Sequence, residues 1–525
     1  MEERGRGRRL AWSTAIFSLA TGLSRVLGLV REIVVRRYFG VEGPINAFDV
    51  AFQLPNLVRA LVADAALSAA FVPVFSELLE RGERVRAWRV ASTVVWLMLL
   101  GLGALTALAI LAAPILIAPF GLPDQYDDLG VTLAQILFPI VALLGVSGIV
   151  VGILNSYEHF TVPALTPVFW NLAIIAGLAI GVPRADTVSA QLYVYAGAIV
   201  VGTVIQVLLP VPWLRGRDDR LRLLIDVRDP AVKRVFVLML PVSLGIGLIN
   251  VNAVIGTFFA ARYIDPTISP SAINAAFRIY MLPQGMFSVA VATVLFPALA
   301  RQAARRDFEG VRNTVSLGLR QISFLLLPAA AVSIVLAEPI VRLLYERGEF
   351  TADQTPVVAA ALAAFSVGLV FNGMMLMLNR AFFGLQLPRL PTYVAGGNLV
   401  FNTILFAILF RVGTWGIPLA ISIANAAATA VLLVVLRRRL GRIDFERLLG
   451  AVSRIVVASA ILAAVAYAVW WGLDAALGRG TFLDQLLSLG AALLVGGGAY
   501  LLASKLLGVR EIQALLSLRA RFRRA

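Results

Sequence analysis

Fourteen apolar stretches follow one another between residues 11 and 508, and each is long enough to cross a lipid bilayer as a helix. About 20 residues rising roughly 1.5 Å each span the hydrocarbon. The stretches lie near 11–37, 44–79, 88–118, 130–154, 160–182, 188–213, 235–262, 270–300, 315–344, 355–380, 390–411, 414–436, 448–472 and 484–508. A chain that is 60% hydrophobic over 525 residues exceeds the apolar share of a water-soluble globule. The expected fold is an all-α polytopic membrane protein. Because the basic N-terminus runs into the first stretch with no small-residue cleavage site before Arg25, that stretch reads as a retained helix rather than a signal peptide.

The net charge of +16 does not indicate nucleic acid, since the basic residues sit between apolar runs and no soluble segment is long enough for a binding domain. They fall in alternate gaps: Arg81, Arg84, Arg86 and Arg89; Arg215 through Arg234; Arg301, Arg305, Arg306 and Arg312; and Arg437, Arg438, Arg439 and Arg442. The other gaps are acidic or neutral, as at Asp124, Asp127 and Asp128. Positive charge is retained on the cytoplasmic side, so both termini are expected there.

The chain also repeats itself. Asn46-Ala47 and Leu54-Pro55 recur as Asn274-Ala275 and Leu282-Pro283, and Phe71-Val72-Pro73 as Leu295-Phe296-Pro297. Leu154-Asn155, Pro163 and Asn171 match Leu378-Asn379, Pro388 and Asn398. All offsets fall between 224 and 228 residues, as a duplication of six helices requires. The expected organisation is an N-terminal lobe over 1–214, a basic cytoplasmic linker over 215–229, a C-terminal lobe over 230–437, a basic loop over 438–447, a helix pair over 448–508 and a basic tail over 509–525. An even number of helices per unit makes the two lobes parallel, and such lobes enclose a cavity about which they rock.

Arginine appears where lipid-facing helix should have none. Arg25, Arg31, Arg59 and Arg278 all fall within apolar stretches, and ionisable groups at that depth face a cavity or a partner. Guanidinium stays charged and offers a planar fork of donors suited to phosphate, so these four are the candidate anion-binding residues. Arg25 and Arg31, six residues apart, need a bend to reach one ligand, and Gly28 between them permits it. Glu32 and Asp64 are the candidate charge partners. Snorkelling to an interface and structural salt bridges, above all for Arg31 beside Glu32, are the alternatives. Pro55 and Pro283 are the candidate hinges, and with Pro73 and Pro297 they are expected to kink helices two and eight.

Catalytic constellations are absent from the sequence. Zero cysteine and the single His159 exclude disulfides, thiolate metal sites and a histidine cluster. Asp127-Asp128 and Asp218-Asp219 read as solvated loop pairs rather than magnesium ligands, and there is no P-loop. No enzyme activity, metal or cofactor is expected.

The stretches SRVLGLVRE, INAFDVAFQLPNLVRALVADAALSAAFVPVFSELL, LNSYEHFTVPALTPVFWNL, RDPAVKRVFVLMLP and LAEPIVRLLYERGEFTADQT closely resemble the bacterial lipid II flippases of the MurJ (MviN) type, in the multidrug/oligosaccharidyl-lipid/polysaccharide exporter superfamily. The resemblance implies two six-helix lobes around a V-shaped cavity, alternating access, and export of an undecaprenyl-pyrophosphate-linked peptidoglycan precursor across the inner membrane. It also implies functional cavity arginines at Arg25, Arg31, Arg59 and Arg278, a lipid-tail groove in the last helix pair, and cell-wall synthesis machinery as a candidate partner. The chain departs from common family patterns at Asn46, Gln53 and Asp64, and helix seven offers Asn250 and Asn252 without a carboxylate for a sodium site. A flippase of another polyprenyl-linked oligosaccharide and a cation-drug exporter are the alternative transporters; the latter needs buried carboxylates where helices one and two offer mostly arginine. A membrane glycosyltransferase is disfavoured by the missing acidic metal site.

Overall fold

The computed structural model describes residues 2–62, 64–387, 389–441 and 445–512, without the side chains of residues 2–19, 62–66, 68, 69, 241, 242, 244–246, 249 and 445–447. The side chain of Asp64 and those of Arg4, Arg6, Arg8 and Arg9, together with Pro388, Arg442 and the tail from 513 onward, lie outside the described residues. Among the described residues every regular element is helical. Among the described residues ten segments are long and apolar enough to cross a membrane, or eleven when one bent pair is taken as a single span. The chain divides into two compact units, Met1–Ser271 and Ala272–Ala525.

The first unit contains α1 (Glu2–Phe39), α2 (Ile45–Val62), α3 (Asp64–Glu80), α4 (Arg84–Leu111), α5 (Ala113–Ile117), α6 (Asp124–Leu137), α7 (Pro139–Ser156), α8 (Thr161–Gly181), α9 (Val188–Leu208) and α10 (Pro230–Phe259), and it includes the first residues of α11 (Ser269–Pro283). Helix α1 packs on α8, α3 and α4 on α7, and α2 on α6. Stacked rings fill the seams: Tyr195 lies 4.3 Å from Phe48 and 6.1 Å from Phe39. Pro55 and Pro73 sit inside α2 and α3, the helical segments described on either side of residue 63. Helix α10, which opens the second sequence repeat, packs against α2 and α3.

The start of α10 is fixed by its cap. Asp229 accepts the Ala231 N–H at 2.8 Å and receives both Nε and Nη2 of Arg86 at 2.8 and 2.9 Å. These bonds hold the Asp229 carboxyl below its ordinary value of 3.8. A depressed carboxyl stabilises the fold fully above its unfolded pKa and loses that contribution as the pH falls through the folded one. The unfolding temperature of Asp229→Asn should therefore lie below that of the parent at neutral pH and converge on it only as the pH falls through the folded value, below 3.8; a pH series of thermal melts in detergent checks this.

The second unit continues α11 through a π-helical turn, Gln284–Ser288, directly after Pro283, the backbone adjustment that a proline inside a membrane helix provokes. It then holds α12 (Val289–Ala304), α13 (Phe308–Val335), α14 (Ala337–Tyr345), α15 (Thr355–Val367), α16 (Leu369–Gly384), α17 (Arg389–Leu409), α18 (Gly416–Leu440), α19 (Phe445–Leu477) and α20 (Phe482–Leu506). The α19–α20 hairpin rests on α13, where the Tyr500 hydroxyl donates to the Phe324 carbonyl at 2.7 Å and Arg320 meets Glu511 at 2.9 Å. At the opposite end Arg342 pairs with Glu338 at 2.7 Å and lies 3.8 Å from Asp474 of α19.

Helices α15 and α16 meet at a 42° bend, which the unbroken apolar run did not suggest. Its cause is a close approach of α18. The Ser422 hydroxyl donates to the Ala364 carbonyl at 2.7 Å, and a Cβ on Gly368 would stand 2.6 Å from the Ser422 Cα. Gly368→Ala should cost about 1–3 kcal/mol by overpacking, read as a lowered melting temperature of the purified protein.

Candidate functional site

The arginines of α1 and α2 occupy different surroundings within the first unit. Arg25 is half-buried on α1, which packs against α8. One residue earlier the Ser24 carbonyl accepts from Asn171 Nδ2 at 3.4 Å, and Gly28 faces the same amide. Arg31 is 7% exposed, and its guanidinium lies over the Trp170 ring, 4.8 Å from the centroid. Trp170 is itself oriented by donating Nε1–H to the Thr203 hydroxyl at 3.2 Å. A cation on an indole face is attracted to the ring's negative quadrupole.

Arg59, half-buried in the last turn of α2, donates Nε and Nη2 to the Asn56 carboxamide at 3.2 and 2.8 Å. The pair is one turn apart, so Asn56 sets the direction of the guanidinium through local bonding. Pro55 precedes Asn56 within the same helix.

Glu32 is 3% exposed and is gripped by Arg36, through Nε at 2.9 Å and Nη2 at 2.7 Å. Arg36 is 1% exposed. It also approaches Asp49 at 3.7 Å and donates Nη1 to the Gly40 carbonyl and the Ser271 hydroxyl, each at 3.2 Å. The Ser271 hydroxyl in turn donates to Asp49 in a short bond. Asn46 completes the knot: its carbonyl oxygen accepts the Ser271 N–H at 2.9 Å, while its amide donates to the carbonyls of Val41, Gly43 and Thr267. Two acids and two arginines, Glu32, Asp49, Arg31 and Arg36, are thus buried in one unit, formally neutral in sum. Taking charges out of water is tolerated only with such pairing and hydrogen bonding.

Sequence reasoning did not single out Arg36, Asp49, Trp170 or Ser271. The Glu32–Arg36 spacing of four residues was a readable sign of a helical ion pair, and Asp49 is an acid inside an apolar helix. The bonds to Ser271 had no sequence signal.

Arg278 belongs to the second unit. It is half-buried on α11, next to Phe277 and two residues before Tyr280. Tyr280 stacks on Phe365 at 5.2 Å, and its hydroxyl accepts Asn372 Nδ2 at 2.8 Å. This aromatic base fixes the turn of α11 from which Arg278 projects. Among the described residues no group of three or more His, Cys, Asp or Glu side chains is arranged to hold a metal ion.

The chain is similar to proteins of known family. A family model described as lipid II flippase MurJ matches residues 35–489. A probable lipid II flippase MurJ of Rhizobium meliloti (strain 1021) is 34% identical over 465 residues, covering 86% of this chain and 85% of the relative. The solved structure of a lipid II flippase MurJ in an inward closed conformation superposes with a TM-score of 0.78 at 25% identity, covering 94% of this chain and 98% of that one. An inward-facing multidrug resistance MATE family transporter of the MOP superfamily shares the fold, with a TM-score of 0.66 at 19% identity over 80% of this chain and 95% of its own.

Proposed function

The chain belongs to the MurJ family of lipid II flippases, and from that premise we propose that it carries the polyprenyl-pyrophosphate-linked peptidoglycan precursor from the cytoplasmic to the outer leaflet by alternating access. The family is one of transporters, and the protein is a multi-pass membrane protein. The bent pair α15–α16 and ten further spans, with α1, the α2–α3 run and α10, make up the fourteen crossings of this reading. They are grouped as two parallel six-helix lobes and a C-terminal pair, with both termini cytoplasmic. The alternating basic gaps support that orientation.

In this reading Arg25, Arg31, Arg59 and Arg278 receive the pyrophosphate while the polyprenyl tail stays in lipid. The observation that carries it is Arg31, a charged group 7% exposed and laid on Trp170 inside a helix of membrane length. Burying a guanidinium there is costly unless it is used or compensated. The substrate's pyrophosphate supplies paired anionic oxygens that match a planar fork of donors. Charge complementarity disfavours a cationic drug as cargo.

Complementation tests the assignment. The chain should restore growth to a bacterium depleted of its lipid II flippase, and Arg25→Ala and Arg59→Ala should fail although both insert in the membrane. Full growth of both variants would refute the assignment of the site.

A further inference from the structure

The segment between α9 and α10 reads in the sequence as a loose basic linker, yet it is fastened to α4 along its length. The Arg222 N–H donates to the Ser92 hydroxyl at 3.0 Å and the Asp226 N–H to the Thr93 hydroxyl at 3.1 Å. Trp96 Nε1 donates to the Arg222 carbonyl at 2.9 Å. Asp218 ties one end, accepting from Arg84 at 2.7 Å and from the Tyr157 hydroxyl at 2.8 Å. Asp229, held by Arg86, ties the other. Going from Asp229 back to Arg222, the segment therefore runs from Arg86 to Trp96 on α4. Ten residues of helix are about 15 Å, so it lies alongside the basic end of a membrane-length helix instead of hanging free of it.

What this strap turns outward is apolar. Leu223 is 85% exposed, Val227 62%, Ile225 50% and Leu224 38%, four aliphatic side chains within five residues of the strap. Exposed arginines flank them, Arg220 and Arg222 on one side and Arg228 on the other, with Arg89 on α4 beside them in sequence register. Aliphatics held outward between arginines match the boundary of an anionic leaflet, where acyl chains meet phosphates. Water offers no such compensation to a fixed, fully exposed leucine.

We propose that residues 220–228 are a lipid anchor: Leu223, Ile225 and Val227 enter the headgroup–acyl boundary of the inner leaflet while Arg220, Arg222 and Arg228 meet anionic phospholipid phosphates. The partner is the phospholipid bilayer itself, not the transported lipid. The inference rests on the orientation proposed above, and its test does not use transport, so the two fail separately.

The chain has no native cysteine, so single spin labels report without further engineering. Leu223→Cys, Ile225→Cys and Val227→Cys are labelled in nanodiscs of phosphatidylcholine with and without phosphatidylglycerol. Leu108→Cys, at an exposed apolar position inside α4, serves as the lipid reference, and Asp186→Cys, in an exposed loop, as the aqueous one. In anionic discs the three labels should be several-fold more accessible to oxygen than to a water-soluble nickel chelate, as at Leu108. Arg220→Gln combined with Arg228→Gln should move that ratio toward the aqueous reference. Labels that match Asp186 in anionic discs, or ratios indifferent to both lipid charge and the arginine replacements, would overturn the proposal.

Discussion

Arg31→Ala is expected to lower affinity for the pyrophosphate lipid by roughly ten- to a hundredfold and to abolish growth on the depleted background. Hydrogen bonds to charged groups contribute about 1.5–3 kcal/mol each, and 1.4 kcal/mol is a factor of ten. Arg31 is placed for a contact at the strong end of that range, because it is 7% exposed and little water competes with the ligand. Arg31→Lys separates charge from shape. It keeps the cation but loses the fork and the flat stacking on Trp170, so it should recover part of the binding and remain clearly below the parent. Binding measured with a soluble pyrophosphate-headgroup analogue checks both. Equal affinity of the parent and Arg31→Ala would remove Arg31 from the site.

Arg36→Ala is expected to have the largest effect on stability, about 3–5 kcal/mol, as for other buried ion pairs broken from one side. The substitution removes the cation beside Glu32 and Asp49, 3% and 6% exposed, and takes from the Ser271 hydroxyl and the Gly40 carbonyl a donor they now share. Replacing one cation and one acid together, as Arg36→Met with Glu32→Gln, should recover part of the loss, since Arg31 and Asp49 then leave the buried group formally neutral. Thermal unfolding of the purified variants measures both. A double replacement less stable than Arg36→Ala alone would show that the cluster contributes through attraction rather than through avoiding a charge imbalance.

The helices were legible because crossing lipid leaves the backbone few options: every long apolar run in the sequence corresponds to helix among the described residues. The arginines were legible for the same reason, as charges that lipid does not tolerate. Less legible was everything set by contacts between distant segments. The bend at Gly368 depends on Ser422, more than fifty residues away, and the environment of Arg31 depends on Trp170. The Arg36 knot joins residues 36, 49 and 271, and no periodicity records a three-way junction. Composition marked 215–229 as a charged linker but did not reveal the serine and threonine hydroxyls of α4 that fasten it.

Translocation by the purified protein in proteoliposomes tests the central claim most directly. Lipid II placed in one leaflet should become accessible in the other many-fold faster than in protein-free vesicles, zwitterionic phospholipid should not, and Arg31→Ala should return the rate for lipid II to the protein-free value. A parent protein that leaves lipid II at the protein-free rate, or an Arg31→Ala variant that moves it as fast as the parent, would contradict the account.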